Sequence, residues 1–331
     1  MLTKIAYVVV SKNEDFYLEQ AWLSIYSLKM YNPSAHVVMI MDTDTKRKID
    51  EGSDVIKFVD EIKVIDLSGN YTNMQKSRIL KTQVRNLIDG DFLFIDSDTI
   101  VCGDISKIDS LDHTIYAVRD SHAELYDTRY FKGNQNAAKL LNHDIGLEKT
   151  YFNSGVIYCK DNKEGRKFYS DWYKNYIEKS IVKGINMDQP SFQLTNTENK
   201  NLVNLLPDIY NCQVRHGMQF FQNALILHYL TTAVSHTGKY LLPFMNLQLY
   251  QDIKKENAIP EYIKAYIKNP KKYLSAVDIF PMDDFFSSTL FQCTYDYFHS
   301  KKRLENLFVQ FLALQVKVYR RLYKLVKDMI H

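Results

Sequence analysis

Apolar positions in the first 240 residues fall into short unbroken runs separated by segments of helical spacing. Residues 4–10 carry Ile5, Ala6, Tyr7, Val8, Val9 and Val10 without alternation, which predicts a strand buried on both faces. It ends at Ser11-Lys12-Asn13, where polar side chains and free backbone donors can meet a ligand. Phe16, Ala21, Trp22, Ile25, Leu28 and Met30 then predict a helix that stops before Asn32-Pro33. Residues 37–41 and 55–59 predict a second and a third strand, 63–65 a short fourth, and 74–87 a helix. That helix delivers the chain to Phe92-Leu93-Phe94-Ile95, the candidate central strand. Later strands are predicted over 114–119, 151–158, 202–206 and 225–230, with a helix over 165–181 and another opened by Pro190. Strands alternating with helices across short connections predict a doubly wound α/β domain with a mostly parallel sheet.

Two stretches break this rhythm. Residues 121–142 are polar, with a turn predicted at Gly133-Asn134-Gln135-Asn136, and read either as a lid over a site or as a loop with a small helix. Gly155, inside the strand 151–158, marks an ordinary bulge or a close backbone approach. From Pro243 onward no strand pattern appears. Residues 301–330 instead place Leu304, Leu307, Phe311, Leu322 and Leu325 at helical spacing against Lys301, Lys302, Arg303, Arg320, Arg321 and Lys324. Such a basic amphipathic helix fits the interface of an anionic membrane, or packs on the domain or on a second subunit of a homo-oligomer. The expected division is a catalytic domain over 1–244 and a helical region over 245–331.

Composition narrows the functional classes. A formal net charge of +3 is too small to argue for nucleic acid. The 46% hydrophobic content is that of a globular chain with a real core. The four cysteines lie far apart with no Cys-x-x-Cys pair, which indicates neither zinc nor a disulfide framework and fits reduced thiols in a cytoplasm. The first apolar run is too short for a signal-peptide core, and no stretch approaches the roughly 18 apolar residues of a membrane span.

The candidate chemistry starts at Asp96 and Asp98, two carboxylates spaced i, i+2 directly after the central strand. In extended chain they point the same way, roughly 6–7 Å apart, and can share a hard cation such as Mn²⁺ or Mg²⁺ while leaving positions for a diphosphate. The competing reading is a pair of turn or helix caps. Asp188, before Gln189-Pro190, could likewise merely cap the helix it opens. His228 sits in an apolar strand, where a histidine is usually a satisfied core residue, although Mn²⁺ accepts an imidazole beside carboxylates.

In order and spacing, the strand 4–10, Arg78, the segment Phe94-Ile95-Asp96-Ser97-Asp98-Thr99-Ile100-Val101, Tyr151-Phe152-Asn153-Ser154-Gly155-Val156, Met187-Asp188-Gln189 and Ile226-Leu227-His228-Tyr229 resemble the family 8 glycosyltransferases. These are retaining enzymes of the GT-A fold that use nucleotide-diphosphate sugars. The resemblance covers roughly residues 1–240 and implies a residue-by-residue assignment. Asp96, Asp98 and His228 would bind Mn²⁺, Asn153 and Ser154 would line the sugar pocket, and Asp188 and Gln189 would sit near the reacting carbon. Arg78 would approach the donor sugar or its phosphates, while Ser11 and Asn13 would meet the nucleoside. The family usually follows its histidine with Gly and Lys, whereas this chain has Tyr229-Leu230. His236-Thr237-Gly238-Lys239 could take over part of that role, which sets His236 against His228 and makes Lys239 a candidate diphosphate contact.

The resemblance implies transfer of a hexose, galactose or glucose, from a UDP-sugar to a cell-surface glycan or lipid-linked acceptor such as lipopolysaccharide or capsular oligosaccharide. The cysteine usage, the short first apolar run and the basic helix lead to the expectation of a cytoplasmic enzyme, peripheral on the membrane through that helix. One rival is a sugar-phosphate nucleotidyltransferase, although that chemistry brings a glycine-rich loop after the first strand and Ser11-Lys12-Asn13-Glu14-Asp15 has no glycine. The other is a non-catalytic binding or scaffold protein of the same fold.

Overall fold

The structure is a computed structural model of the 331-residue chain. It describes residues 1–230 (apart from 51, 52, 68, 129, 147, 217 and 218), 243–272, and 310, 311, 314, 315 and 318. The chain divides into two compact units, 1–274 and 275–331.

In the first unit the strands are β1 (Lys4–Val9), β2 (Val37–Asp42), β3 (Glu61–Ile65), β4 (Phe92–Ile95), β5 (Thr99–Val101), β6 (Ile115–Arg119), β7 (Phe152–Cys159), β8 (Val203–Leu205), β9 (Cys212–Gln213) and β10 (Ile226–His228). The helices are α1 (Tyr17–Tyr31), α2 (Thr43–Asp50), α3 (Asn73–Thr82), α4 (Val84–Leu87), α5 (Phe131–Leu140), α6 (Lys163–Asn175), α7 (Gln189–Glu198), α8 (Leu247–Glu256) and α9 (Glu261–Lys268). Seven strands form one sheet in the order β3-β2-β1-β4-β7-β6-β8, and only β7 runs antiparallel to its neighbours. The expected α/β class with a mainly parallel sheet is the one observed.

The unbroken apolar runs have a direct cause: helices cover both faces of the sheet. Alternate residues of one strand enter different cores. Ile5, Tyr7 and Val9 pack with Trp22, Ile25 and Leu28 of α1. Ala6, Val8 and Val10 pack with Leu80, Val84, Phe168 and Trp172 of α3, α4 and α6. Helix α3 begins with a capping box in which Thr72 and Gln75 bond each other's backbone N–H groups. The predicted helix over 74–87 is divided in two at Gln83.

Several local expectations are corrected. Residues 55–59 do not form a strand. Asp54–Phe58 is a 3₁₀ turn begun by Ser53, and Val55 alone in it is buried, too little apolar surface to fill an edge of the sheet. That edge belongs to β3, in register with β2 from Val38–Glu61 to Asp42–Ile65. Gly133-Asn134-Gln135-Asn136 is no turn but part of α5. The 121–142 region contains that helix, and its Leu125 and Ala138 share a small core with Ile145 and Tyr151, which is the loop-with-helix alternative. Helix α6 runs into a π-helical turn at Tyr176–Ile181.

Three strands form a second, small sheet, β5-β10-β9. Strand β5 begins three residues beyond Asp96, outside the large sheet, and pairs antiparallel with β10, so His228 stands opposite Thr99. This switch between sheets brings a side chain from position 228 to the Asp-x-Asp. Among the described residues no helix is long and apolar enough to cross a membrane.

Candidate active site

Beyond the ends of β1 and β4, at the crevice where ligands of open α/β sheets bind, lies a cavity of about 360 Å³. Asp96, Asp98, His228, Arg78, Asp188 and Gln189 all line it. Asn153 and Ser154 line it too. Thus eight of the predicted residues, drawn from five separate stretches of chain, meet at one surface.

The two carboxylates and the imidazole each offer a ligand atom, and these atoms lie within 4.8 Å of one another. His228 Nε2 is 3.1 Å from Asp98 Oδ1 and 4.0 Å from Asp96 Oδ2. Hard carboxylate oxygens with one imidazole nitrogen suit a divalent ion of the Mg²⁺ to Mn²⁺ type, so the residues fit the expected metal. Burial pushes the Asp96 carboxyl up, more than nearby Lys81 and Arg78 pull it down. For His228 burial opposes the charged ring, but Asp98 and Asp96 outweigh it and the pKa is raised. The His228 shift reports the negative charge of the two carboxylates beside the ring, which a divalent cation would neutralise.

Two elements set this geometry. The amide of Asp96 still pairs with the Gly155 carbonyl at 2.8 Å, holding the first carboxylate to the sheet. Tyr229 N–H donates to the Asp98 carbonyl at 3.0 Å, holding the second to β10. Between Ala117 and Val118 the β6–β7 register jumps from Ile157 to Asn153, so Ser154, Gly155 and Val156 bulge. The glycine is both predicted things at once. It lies in the bulge, and a Cβ there would fall 2.3 Å from His228 Cε1, so β7 approaches the imidazole as only a glycine can.

Asp188 precedes α7, yet its side chain makes no cap bond. Its Oδ2 is 3.0 Å from Lys81 Nζ and accepts from Ser154 Oγ at 2.8 Å, while Oδ1 is 3.2 Å from Arg78 Nε. Burial alone would raise its pKa, but Lys81, Arg78 and the Ser154 hydroxyl hold it far below the usual carboxylate range. Asp188 is therefore an ionised group locked between two cations.

Sequence reasoning missed Lys81. Its side chain is 2% exposed, and its ammonium lies 3.3 Å from Asp96 Oδ1, 3.0 Å from Asp188 Oδ2 and 4.9 Å from the centre of the Phe94 ring. It thus bridges Asp96, one of the candidate metal ligands, and Asp188, the candidate catalytic carboxylate. The available signal was its place three residues after Arg78 on the helix that precedes the central strand, which puts both cations on one helical face. Asp120 was missed as well. Its Oδ1 accepts from Asn153 Nδ2 and from Gln189 Nε2, each at 3.0 Å. It follows β6 in a turn where Ser121 and His122 both have positive φ, 59° and 53°. Two successive non-glycine residues in that region are uncommon, and the turn is tied down by His122, which bonds Asp208 and the Gln213 backbone at 2.8 Å each.

Ser11 and Asn13 are not among the residues lining the cavity. The Ser11 hydroxyl donates to Asp15 at 2.6 Å and receives Lys48 Nζ at 3.1 Å, and the Asn13 carbonyl accepts from Lys254. His236 and Lys239 lie outside the described residues, as does most of the basic segment 301–330, of which only 310, 311, 314, 315 and 318 are described, all helical. Cys102, Cys159 and Cys212 are free thiols.

Residues 8–233 match glycosyl transferase family 8. Among solved structures, the chain is similar to the glycosyltransferase GlyE of Streptococcus pneumoniae TIGR4, with 15% identity and a TM-score of 0.49 over 83% of this chain and 66% of that one. The chain therefore spans a little under two thirds of GlyE. It is also similar to mouse xyloside xylosyltransferase 1 in its apo form, with 14% identity and a TM-score of 0.45 over 69% of this chain and 97% of that one. No curated protein sequence matches it.

Proposed function

The chain belongs to glycosyl transferase family 8 and is by that membership a glycosyltransferase; from this premise we propose that it moves a hexose from a UDP-sugar, in a divalent-metal-dependent and retaining reaction, to a cell-surface glycan acceptor. The observation that carries the reading is the meeting of Asp96, Asp98 and His228 within 4.8 Å at the wall of the cavity that Asp188, Gln189 and Arg78 also line. Asp96, Asp98 and His228 would hold Mn²⁺ or Mg²⁺, which when bound stabilises the negative charge left on the departing diphosphate. Galactose or glucose as the sugar, and lipopolysaccharide or capsular oligosaccharide as the acceptor, come from the family resemblance. Peripheral membrane binding through residues 301–330 belongs to the same proposal.

Within that reading the remaining residues divide the work. Arg78 supplies a fixed positive charge on the donor side. Gln189 bonds Asp120 and the Phe152 carbonyl through Nε2, which leaves its carbonyl oxygen as the end suited to a positive sugar carbon. Both Asp188 oxygens are engaged by cations or a hydroxyl. This supports attack on the same face, without an enzyme-bound sugar. The bond from the sugar carbon to the phosphate oxygen breaks and the bond to the acceptor oxygen forms. The acceptor proton passes to the departing phosphate oxygen, and UDP leaves.

The test is UDP release from a panel of UDP-sugars with Mn²⁺ or with chelator, for wild type and Asp98→Ala. Metal-dependent release from one donor, lost in the variant, is the expected outcome and names the sugar. Donor turnover that survives both chelation and Asp98→Ala would overturn the metal assignment. Absence of donor binding by calorimetry would move the protein to the scaffold class.

A further inference from the structure

We propose that Asn211, a fully buried residue outside the cavity lining, is a positioning residue that presents the Nε2 lone pair of His228 to the metal site; this rests on the metal reading given above. Asn211 ends a 3₁₀ turn, Asp208–Asn211, just before β9. Its side chain stands between Asn153 and His228. Its Nδ2 donates to Asn153 Oδ1 at 2.9 Å, and its Oδ1 lies 2.8 Å from His228 Nδ1.

The direction of these bonds follows from the main chain. Gly155 N–H donates to Asn153 Oδ1 at 2.9 Å, and a backbone amide can only donate. That atom of Asn153 is therefore the oxygen, and its Nδ2 points to Asp120 Oδ1, an acceptor, at 3.0 Å. The Asn211 group that meets Asn153 Oδ1 must then be its N–H, so the opposite end of Asn211 is the carbonyl. A carbonyl facing Nδ1 requires a hydrogen on Nδ1. In a neutral ring the lone pair is left on Nε2, the nitrogen 3.1 Å from Asp98 Oδ1.

The other tautomer would place a hydrogen where a cation must bind. Gly155 thus acts twice, once through its N–H on the amide chain and once through the missing Cβ that admits the imidazole. A partner that orients a ligating histidine in this manner commonly changes metal affinity or activity by about 10–100-fold when removed. The same chain reaches the sugar side of the cavity, because Asp120 Oδ1 also accepts from Gln189 Nε2 at 3.0 Å.

The experiment titrates Mn²⁺ into wild type, Asn211→Leu and Asn211→Asp, followed by electron paramagnetic resonance without any donor sugar. In parallel, ¹⁵N NMR of the metal-free proteins in alkaline buffer, where the ring is neutral, reports which His228 nitrogen carries hydrogen, and melting curves report folding. Wild type is expected to show hydrogen on Nδ1. Asn211→Asp, which keeps an oxygen opposite Nδ1 but loses the N–H that meets Asn153 Oδ1, should retain that tautomer, whereas Asn211→Leu should lose it and bind Mn²⁺ about 10–100-fold more weakly than wild type. A folded Asn211→Leu with wild-type affinity and an unchanged tautomer would overturn the role. If that variant does not fold, hydrogen on Nε2 in wild type overturns it equally. Wild type that binds Mn²⁺ but carries hydrogen on Nε2 defeats only the role of Asn211, while wild type that binds no Mn²⁺ defeats the metal reading and this inference with it.

Discussion

Replacing Gly155 by alanine is the sharpest single perturbation of this site. The added Cβ would lie 2.3 Å from His228 Cε1, 2.9 Å from His228 Nδ1 and 2.9 Å from Asn153 Oδ1. Carbon atoms in contact sit about 3.5–4.0 Å apart, so the ring or the strand must give way by roughly 1.2 Å or more. Neither is free to do so. The ring is bonded at Nδ1 to Asn211 and packed beside Asp98, and β7 is paired on both sides, to β4 and β6. Overpacking of this kind typically costs about 1–3 kcal/mol of stability. The larger effect falls on function, since a misplacement of about 1 Å can reduce rates roughly 100-fold. Urea unfolding should therefore show a loss of about 1–3 kcal/mol. Mn²⁺-dependent UDP release should fall roughly 100-fold in the same protein. Gly133→Ala is the control, because nothing lies within 4 Å of a Cβ there and the residue sits in α5. It should leave turnover unchanged and stabilise by about 0.5–1 kcal/mol. Gly155→Ala with wild-type turnover and wild-type stability would refute the close approach and, with it, the reason given for this glycine.

Two further predictions concern charges that line the cavity. Lys81→Met removes a buried ammonium that faces Asp96 and Asp188, and breaking such a buried pair costs about 3–5 kcal/mol, measurable by urea unfolding. A loss under about 1 kcal/mol would show that the pair contributes little, as exposed ion pairs do. Asp188 has a folded pKa far below its unfolded value of about 3.9, so its contribution to stability is complete above that value and is lost as pH falls toward the folded pKa. Between about pH 5 and pH 2 wild type should therefore lose stability more steeply than Asp188→Asn, and parallel curves would contradict the shift.

Much of this site was legible in the chain because strands buried on both faces have an unmistakable pattern. The runs at 5–10 and 92–95 carry apolar side chains at every position, and each points alternate residues into one of two cores. A strand of that kind ends where the sheet ends, which is why Asp96 and Asp98 could be placed at a ligand crevice. The weak pattern at 55–59 misled for the opposite reason. It buries a single side chain, and a short apolar stretch of that sort fits a 3₁₀ turn as readily as an edge strand.

Sequence alone thus determined the α/β class, the position of the Asp-x-Asp and the family, since these rest on local periodicity and on the order of short motifs. Tertiary structure decided which distant side chains share those carboxylates. His228 arrives through the antiparallel pairing of β10 with β5, a contact across 130 residues, and so turns from an embedded core histidine into a metal-site candidate. Lys81 changes from an ordinary helical lysine into the cation between Asp96 and Asp188, and Asn211 from a loop amide into the partner of an imidazole. The physical reason is that periodicity records only whether a residue faces oil or water, whereas a buried polar group is defined by its partner, and partners are fixed by the pairing of strands far apart in the chain.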